Sequence, residues 1–248
     1  MTFLEEILES RRRAVDKLDR SSLAPGPPVR DFHAALAVPG MSLIAEIKRA
    51  SPSRGDLDAD LDPPALASAY ERGGARALSV LVEPEFFKGS AGDLTSARAA
   101  TSLPVLCKDF VIDGVQVDAA RSAGADAVLV IVRILGSELK DLIARIDDLG
   151  MTALVEVFDE RDLDRALEAD ASVIGVNHRD LETFEEDPTA TKRLRPLVAG
   201  GVVVAESAIS TRADVADLEA IGVDAVLVGE ALVRSPDPAA KIRELLGA

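Results

Sequence analysis

Eight short apolar runs, separated by longer stretches of mixed composition, constrain the fold of this 248-residue chain more than any other feature. Each run is apolar almost throughout, which is typical of parallel strands that are covered on both faces. The runs therefore predict eight buried parallel strands. They occupy positions 42–45, 77–82, 104–107, 127–132, 153–155, 173–176, 202–205 and 225–228.

The stretches between the runs carry the spacing of amphipathic helices. Val215, Leu218 and Ile221, for example, fall on one helical face, and Gly222 follows them. A helical face that is followed by glycine predicts a helix ending in a left-handed residue. The alternation of strands and helices indicates consecutive βα units. Comparable faces precede Gly74, Gly124 and Gly150.

A weak internal repeat gives the number of units. Residues 74–80 resemble residues 124–130 and 222–228, and residues 170–176 are a more divergent copy. The copies begin about 50 residues apart, so each period holds two βα units and four periods hold eight. This predicts an α/β protein with the (β/α)8 (TIM) barrel fold, for which about 250 residues is typical. A doubly wound open sheet is the weaker alternative, because the Gly-x-Gly-x-x-Gly fingerprint is missing after the first run.

The residues before the first run form a separate segment. We expect residues 1–40 to be an N-terminal helical extension packed on the barrel, and residues 41–248 to be the barrel, in a single domain overall. A second short helix is expected over Phe32–Leu36. The run Arg11-Arg12-Arg13 is interpreted as a solvated helix face. The sequence leaves open whether the extension caps the bottom of the barrel, frays as an arm, or covers the active end as a lid.

Composition excludes several classes of function. The net charge of −15 argues against a nucleic acid or an anionic membrane as partner. No apolar run approaches the roughly 18 residues that are needed to cross a bilayer. The single cysteine, Cys107, suits a reducing compartment, so we expect a cytoplasmic protein. Its position inside a strand favours core packing over a nucleophilic role. Two histidines without a ligand-spaced cluster predict that there is no metal site.

Charged residues follow the apolar runs at the point where each predicted strand ends. Glu46 and Lys48 follow the first run and, being two residues apart, point the same way. Lys108 follows the third run and Glu156 the fifth, and in a barrel odd-numbered strands aim side chains into one central space. The alternative is a salt-bridge network that closes the top of the barrel. Charges from three strand ends favour a proton-transfer site instead.

A second group of residues suits an anion. Ser207 and Ala208 follow the seventh run, and Gly229 and Glu230 follow the eighth. Loops at these positions commonly bind phosphate through backbone N–H groups in this fold. Arg179, together with Lys48, could add positive charge.

These residues lie in motifs that resemble those of the indole-3-glycerol-phosphate synthase family. The resemblance extends over most of the chain, and the motifs occur in the family's order. They span residues 44–53, 86–90, 106–110, 155–157, 176–181 and 205–207.

The resemblance implies a reaction without a cofactor or metal. The family converts 1-(2-carboxyphenylamino)-1-deoxyribulose 5-phosphate to indole-3-glycerol phosphate, with loss of carbon dioxide and water, in tryptophan biosynthesis. By resemblance, Lys108 is the general acid of ring closure, Lys48 pairs with the anionic substrate, and Glu156 acts in the dehydration. The groups expected to hold the substrate's amino and hydroxyl groups are Glu46, Asn177 and Glu206. The remaining residues expected in the site are Ser51, near the phosphate, and the apolar pocket of Pro52, Phe87, Phe110, Leu129 and Ile131.

The chain departs from the family at two positions. Ala208 stands where the family usually has glycine, so a left-handed backbone there would be strained. His178 is expected to face away from the site because of strand alternation. Two other functions remain in consideration: a related phosphate-binding barrel such as phosphoribosylanthranilate isomerase, which would need a Cys/Asp pair, and a non-catalytic phosphosugar-binding scaffold. We expect a phosphorylated small-molecule substrate and a monomer or weak homodimer.

Overall fold

Eight parallel strands close into a barrel in the computed structural model, which describes residues 2–52, 55–58 and 60–248. Each strand pairs with its neighbours along the chain, and the first pairs with the last, so the predicted (β/α)8 barrel is confirmed. Ser53, at the end of the first motif, lies outside the described residues. The strands are β1 (Ser42–Ile47), β2 (Ala77–Leu81), β3 (Val105–Lys108), β4 (Ala127–Ile131), β5 (Thr152–Val157), β6 (Val173–Asn177), β7 (Val202–Glu206) and β8 (Ala225–Val228).

Helices connect successive strands and cover the outside of the barrel. Two antiparallel strands of two residues each, Ala50–Ser51 and Gly55–Asp56, pair in the loop after β1. The short helix after β6 was not predicted, because no apolar periodicity marks it. The helices are α1 (Phe3–Val15), α2 (Phe32–Leu36), α3 (Pro63–Gly73), α4 (Ala91–Ala99), α5 (Gly114–Ala123), α6 (Leu139–Asp148), α7 (Glu160–Glu168), α8 (Ala190–Leu194), α9 (Arg212–Ala220), α10 (Glu230–Val233) and α11 (Pro238–Leu246), with short 3-10 turns at Arg20–Ser22, Val132–Ile134 and Arg195–Leu197.

The ends of α5 show how local sequence sets the connections. The side chain of Asp113 accepts a hydrogen bond from the backbone N–H of Val115, and the side-chain oxygen of Gln116 accepts one from the backbone N–H of Asp113. This capping box satisfies N–H groups that a helix start leaves without partners. At the other end Gly124 has φ of 100°, a left-handed conformation that glycine adopts easily. The helix is thereby confined between β3 and β4.

Two apolar cores lie on the two faces of the strands. Leu43 and Ala45 of β1 belong to the outer core, between the strands and the helices, whereas Ile44 belongs to the core inside the barrel. Successive side chains of a strand point to opposite faces, so this division recurs on every strand. Cys107 lies in the outer core, which confirms its expected packing role.

The extension covers both ends of the barrel. Phe32 and Leu36 of α2 are fully buried in the inner core, and the hydroxyl of Ser42, the first residue of β1, donates a hydrogen bond to the carbonyl of Leu36. This part closes the N-terminal ends of the strands. The helix α1 packs at the opposite end, where Leu4 and Ile7 also join the inner core. Of the three placements that the sequence left open, the position at the bottom of the barrel is that of α2, and the position at the active end is that of α1.

One interpretation of the extension was wrong. Arg11 is buried, with 6% of its surface exposed, whereas Arg12 and Arg13 are exposed as expected. Its guanidinium pairs with Glu83 and Asp109, which follow β2 and β3. The sequence does not reveal this difference, because the three consecutive arginines are identical in type. Helical geometry nevertheless points their side chains in different directions.

Candidate active site

A cavity of about 490 Å³ opens at the carboxyl ends of the barrel strands. The structure brings together in its lining every residue that the sequence placed in the site. The candidates for catalysis and for anion binding are Glu46, Lys48, Ser51, Lys108, Glu156, Asn177, Arg179, Glu206, Ser207, Ala208, Gly229 and Glu230, and those of the apolar pocket are Pro52, Phe87, Phe110, Leu129 and Ile131.

Strand alternation explains why four charges meet at the cavity floor. Glu46 lies two positions after Ile44, an inward-facing residue of β1, and therefore faces the interior as well. The same relation joins Lys108 to Leu106, Glu156 to Leu154 and Glu206 to Val204. The four charges come from β1, β3, β5 and β7, which in this fold contribute side chains to one layer. Along the strands, the side chains inside the barrel thus change from apolar to charged between one layer and the next.

Lys108 lies between two acidic side chains of this layer. Its Nζ atom is 3.2 Å from Glu206 Oε2 and 3.6 Å from Glu156 Oε2. Burial by itself would lower the pKa of Lys108, but the carboxylates of Glu206, Glu156 and Glu46 outweigh it and raise that pKa above its usual value. Lys108 is therefore a cation at neutral pH.

Glu156 is almost fully buried, with 1% of its surface exposed. Within the described residues neither carboxylate oxygen has a well-formed hydrogen bond, although Lys108 and Asn177 lie beside it. Burial raises the pKa of Glu156 to about 7, against the opposing effect of Lys108. Burial also raises the pKa of Glu206. A carboxyl group that titrates near neutrality can both donate and accept a proton.

Glu46 and Lys48 form a second ion pair at the wall of the cavity. Lys48 Nζ lies 2.6 Å from Glu46 Oε1, and both side chains are largely buried. The carboxylate occupies space that exists because residue 229 is glycine: a Cβ atom there would lie 2.3 Å from Glu46 Oε1. Gly229 is thus required for the position of Glu46.

The turn after β7 has an unusual backbone. Ser207 and Ala208 have φ of 68° and 55°, both in the left-handed region that favours glycine. The strain expected at Ala208 is therefore present. The hydroxyl of Ser207 donates to Asn177 Oδ1 at 2.8 Å, and the backbone N–H of Arg179 donates to the same oxygen at 3.0 Å. Asn177 therefore joins the loop after β6 to the turn after β7.

Two arginines line the same cavity as this turn, each with a carboxylate partner. Arg179 lines the cavity and pairs with Glu186. Arg234, which the sequence analysis did not identify, also lines the cavity, and its Nε atom lies 3.3 Å from Glu230. The guanidinium groups are held at the rim by these carboxylates, where an incoming anion could share them.

An aromatic wall faces the charged layer. The rings of Phe87 and Phe110 lie 6.1 Å apart, and both line the cavity. Phe3 of α1 adds a third contribution, with its ring 5.1 Å from Phe86 and 5.0 Å from Phe184. These contacts place the N-terminal helix over the mouth of the cavity.

Sequence reasoning missed part of the lining. Phe3 belongs to the predicted N-terminal extension, and no pattern in the sequence placed its helix over the cavity. The loop after β6 carries further residues that no apolar run or strand end marks. The missed lining residues are Phe3, Leu81, Asp109, Leu181, Phe184, Glu186, Ile209, Ser210, Leu227, Val228, Ala231 and Arg234.

A further residue behaves as expected. His178 faces away from the cavity, because its Nε2 atom lies 2.6 Å from the hydroxyl of Thr191 on α8. Burial lowers the pKa of His178. In the part of the chain that the structure describes, no three His, Cys, Asp or Glu side chains are grouped as metal ligands. Over the same residues, no helix has the length and apolar character needed to span a bilayer.

Comparisons with known proteins agree with this geometry. The sequence model of the indole-3-glycerol phosphate synthase family matches residues 4–245. Indole-3-glycerol phosphate synthase 2 of Streptomyces coelicolor is 54% identical over 90% of this chain and 88% of its own length. The indole-3-glycerol phosphate synthase of Mycolicibacterium smegmatis is 48% identical over 100% of this chain and 94% of its own length.

Solved structures support the fold independently. The N-acetylmannosamine-6-phosphate 2-epimerase of Clostridium perfringens matches 84% of this chain and 95% of its own, with a TM-score of 0.65 and 17% identity. The 3-hexulose-6-phosphate synthase of Salmonella typhimurium matches 84% of this chain and 97% of its own, with a TM-score of 0.66 and 16% identity. At such identities the likeness concerns the barrel alone. From the family match and the close relatives, this chain belongs to the indole-3-glycerol phosphate synthase family of decarboxylating lyases.

Proposed function

We propose that this cavity closes the indole ring of 1-(2-carboxyphenylamino)-1-deoxyribulose 5-phosphate and releases indole-3-glycerol phosphate, carbon dioxide and water. The observation that carries the proposal is the position of the Lys108 ammonium between Glu206 and Glu156, in one cavity with an aromatic wall. A substrate with an aryl ring, a ketone and a phosphate needs an apolar surface, a proton donor and an anion site.

Lys108 acts as the general acid of ring closure. As the aromatic carbon attacks the ketone, negative charge develops on the carbonyl oxygen. A neighbouring ammonium group stabilises this charge and transfers a proton to the oxygen. The raised pKa of Lys108 keeps the group cationic at neutral pH, which supports its stabilisation of the developing oxyanion. Loss of carbon dioxide from the same aromatic carbon then restores the ring.

Glu156 acts in the later dehydration, when the new hydroxyl leaves as water. With a pKa of about 7, the carboxyl group is present in both protonation states at neutral pH. Glu46, Asn177 and Glu206 hold the amino and hydroxyl groups of the substrate and orient the two lysines. Lys48, at the wall of the cavity, pairs with the substrate carboxylate that leaves as carbon dioxide.

The substrate extends across the cavity from the aromatic wall to the turn after β7. Pro52, Phe87, Phe110, Leu129 and Ile131 contact its aryl ring. Its phosphate binds backbone N–H groups of Ser207, Ala208, Gly229 and Glu230, beside Ser51 and Arg179. Clustering of these residues in one cavity lining supports this orientation. Arg179 would then exchange part of its pairing with Glu186 for the phosphate.

The proposal extends to the oligomeric state, the domain organisation and the cellular location of the protein. We infer that it acts in the cytoplasm as a monomer or weak homodimer, with residues 1–40 and 41–248 unfolding as one domain. A single buried cysteine and the packing of α1 and α2 into the inner core support this. Sedimentation equilibrium tests the oligomeric state, and one unfolding transition that is seen by both fluorescence and circular dichroism tests the single domain.

A turnover assay tests the proposed reaction. Purified protein is mixed with the carboxyphenylamino substrate, and the indole product is followed by fluorescence. We expect saturable turnover with no added metal or cofactor, and no loss of activity after dialysis against a chelator. Binding of substrate without any product would instead indicate a phosphosugar-binding scaffold, and would overturn the proposal.

A further inference from the structure

One arginine of α1 is buried although its two neighbours are not. Arg11 is 6% exposed, whereas Arg12 and Arg13 are exposed. A guanidinium that leaves water is costly unless acceptors in the protein replace the lost hydration. The acceptors here belong to two barrel loops, so the buried charge connects the extension to the barrel.

The guanidinium lies between two carboxylates. Its Nη2 atom is 3.4 Å from Glu83 Oε1, and its Nη1 atom is 3.3 Å from Asp109 Oδ2. Glu83 is fully buried, and Asp109 is 9% exposed. Burial raises the pKa of Asp109, with Arg11 opposing this effect and Glu83 adding to it. Without Arg11, two buried carboxylates would face each other with no cation between them.

Glu83 organises the loop after β2. Its carboxylate accepts hydrogen bonds from three successive backbone N–H groups, those of Glu85 at 3.0 Å, Phe86 at 2.7 Å and Phe87 at 3.0 Å. Phe87 is part of the aromatic wall of the cavity, and Phe86 contacts Phe3 of α1. A movement of the Glu83 side chain would therefore move the wall.

Asp109 has the same relation to the loop after β3. It directly follows Lys108, and its Oδ1 atom accepts a hydrogen bond from the backbone N–H of Phe110 at 2.8 Å. Phe110 is the second ring of the wall, 6.1 Å from Phe87. The two carboxylates that Arg11 joins thus control the two loops that present the wall and the proposed general acid.

We propose that Arg11 is a positioning residue for the reaction, which sets the relative placement of Phe87, Phe110 and Lys108 by clamping Glu83 to Asp109. This inference rests on the proposed function of the cavity. It adds a residue that never touches the substrate, and it gives the N-terminal helix a part in catalysis. Displacements of about 1 Å in a reacting geometry can cost as much as 100-fold in rate.

Arg11→Met tests the clamp, with Arg12→Met as the matched control on the exposed face of the same helix. We expect Arg11→Met to raise KM and lower kcat, with kcat/KM reduced by at least about tenfold. Both constants should change, because the wall binds the ring and Lys108 acts in the chemical step. Arg12→Met should behave as wild type. All proteins are assayed at a temperature at which circular dichroism finds them folded.

Two more variants separate positioning from simple stabilisation. Arg11→Lys keeps the positive charge and should recover part of kcat/KM. Asp109→Asn placed in the Arg11→Met protein removes the repulsion between the carboxylates and should also recover part of it. Kinetic constants of Arg11→Met within twofold of those of Arg12→Met would overturn the inference, as would recovery in neither of the two variants. An inactive wild-type protein would instead count against the proposed function.

Discussion

The Nζ atom of Lys108 lies 3.2 Å from Glu206 Oε2, although the two residues end strands on opposite sides of the barrel ring. Lys108 ends β3 and Glu206 ends β7, so the contact spans the interior. The ammonium group therefore lies near the barrel axis, where several loops can reach the same substrate atom. Glu156 approaches it from a third strand.

Replacement of Lys108 by alanine should remove the proposed general acid. We expect kcat to fall by at least about 100-fold, the low end for loss of such a group. The protein should remain folded, because the ammonium lies at the floor of the cavity and not in the apolar layers of the barrel. Lys140→Ala, on the exposed surface of α6, is the control. Steady-state kinetics decide the matter, and kcat within threefold of wild type would exclude the assignment.

Glu156→Gln should separate binding from proton transfer. The amide keeps the shape of the side chain and cannot titrate, so we expect KM to change little while kcat falls by at least about tenfold. Steady-state kinetics with the carboxyphenylamino substrate give both constants. An unchanged kcat with a large increase in KM would show that Glu156 only binds substrate.

Glu156 should also make stability depend on pH. Its pKa of about 7 in the folded protein exceeds the value of about 4.3 expected in the unfolded chain. Between these values the folded state binds more protons, so the free energy of unfolding attributable to this group falls as pH rises through that window. Glu156→Gln should gain stability relative to wild type at about pH 8 compared with about pH 5.

Urea unfolding of both proteins at the two pH values measures this difference. Glu168→Gln, at an exposed position on α7, controls for the loss of one negative charge. An equal pH-dependent gain in that control would attribute the effect to net charge and not to the buried carboxyl group.

Ala208→Gly should relieve strain in the turn after β7. Ala208 has φ of 55°, a conformation that costs alanine about 1 kcal/mol more than glycine. We expect a small rise in melting temperature and equal or tighter binding of phosphate. Calorimetric titration of both proteins with inorganic phosphate measures the affinity. Binding by Ala208→Gly alone at millimolar phosphate would show that the methyl group has disabled the site.

Gly229→Ala should displace a carboxylate that the site requires. A Cβ atom at residue 229 would meet Glu46 Oε1 at 2.3 Å, too close for both to remain in place. We expect lower kcat/KM, by about tenfold or more, because Glu46 and its partner Lys48 must move. Gly200→Ala is the control, since nothing lies within 4 Å of its added Cβ. Equal activity of the two variants would contradict this role of Gly229.

The fold was accessible from the sequence because each strand is buried on both faces. Runs such as 127–132 have no polar residue to obscure them, and the repeat fixed their number. The helix α8 was missed, since no apolar periodicity marks its residues. The order of the elements along the chain also could not locate α1 on the barrel. Its position depends on contacts with loops that are distant in sequence, such as the contact between Phe3 and Phe184.

The centre of the site was also accessible, because charged residues at strand ends stand out against apolar runs. Glu46, Lys108 and Glu156 share one layer as their strand parity predicts. Residues that act by positioning loops were not accessible from the sequence. Glu83 lies in a loop, where a carboxylate needs no explanation, and Arg11 belongs to a run whose other members are solvated. Only three-dimensional contacts distinguish such residues from surface charges.

The charged layer has a consequence for how the two halves of the barrel depend on each other. A cut between β4 and β5 would leave Lys108 with the first half, and its ion-pair partners Glu156 and Glu206 with the second. Each half would then hold charges whose counter-ions are on the other fragment. The reaction centre thus lies at the boundary between the two halves. When the halves are co-expressed as separate fragments, we expect the charges that perform the chemistry also to attract the fragments to each other.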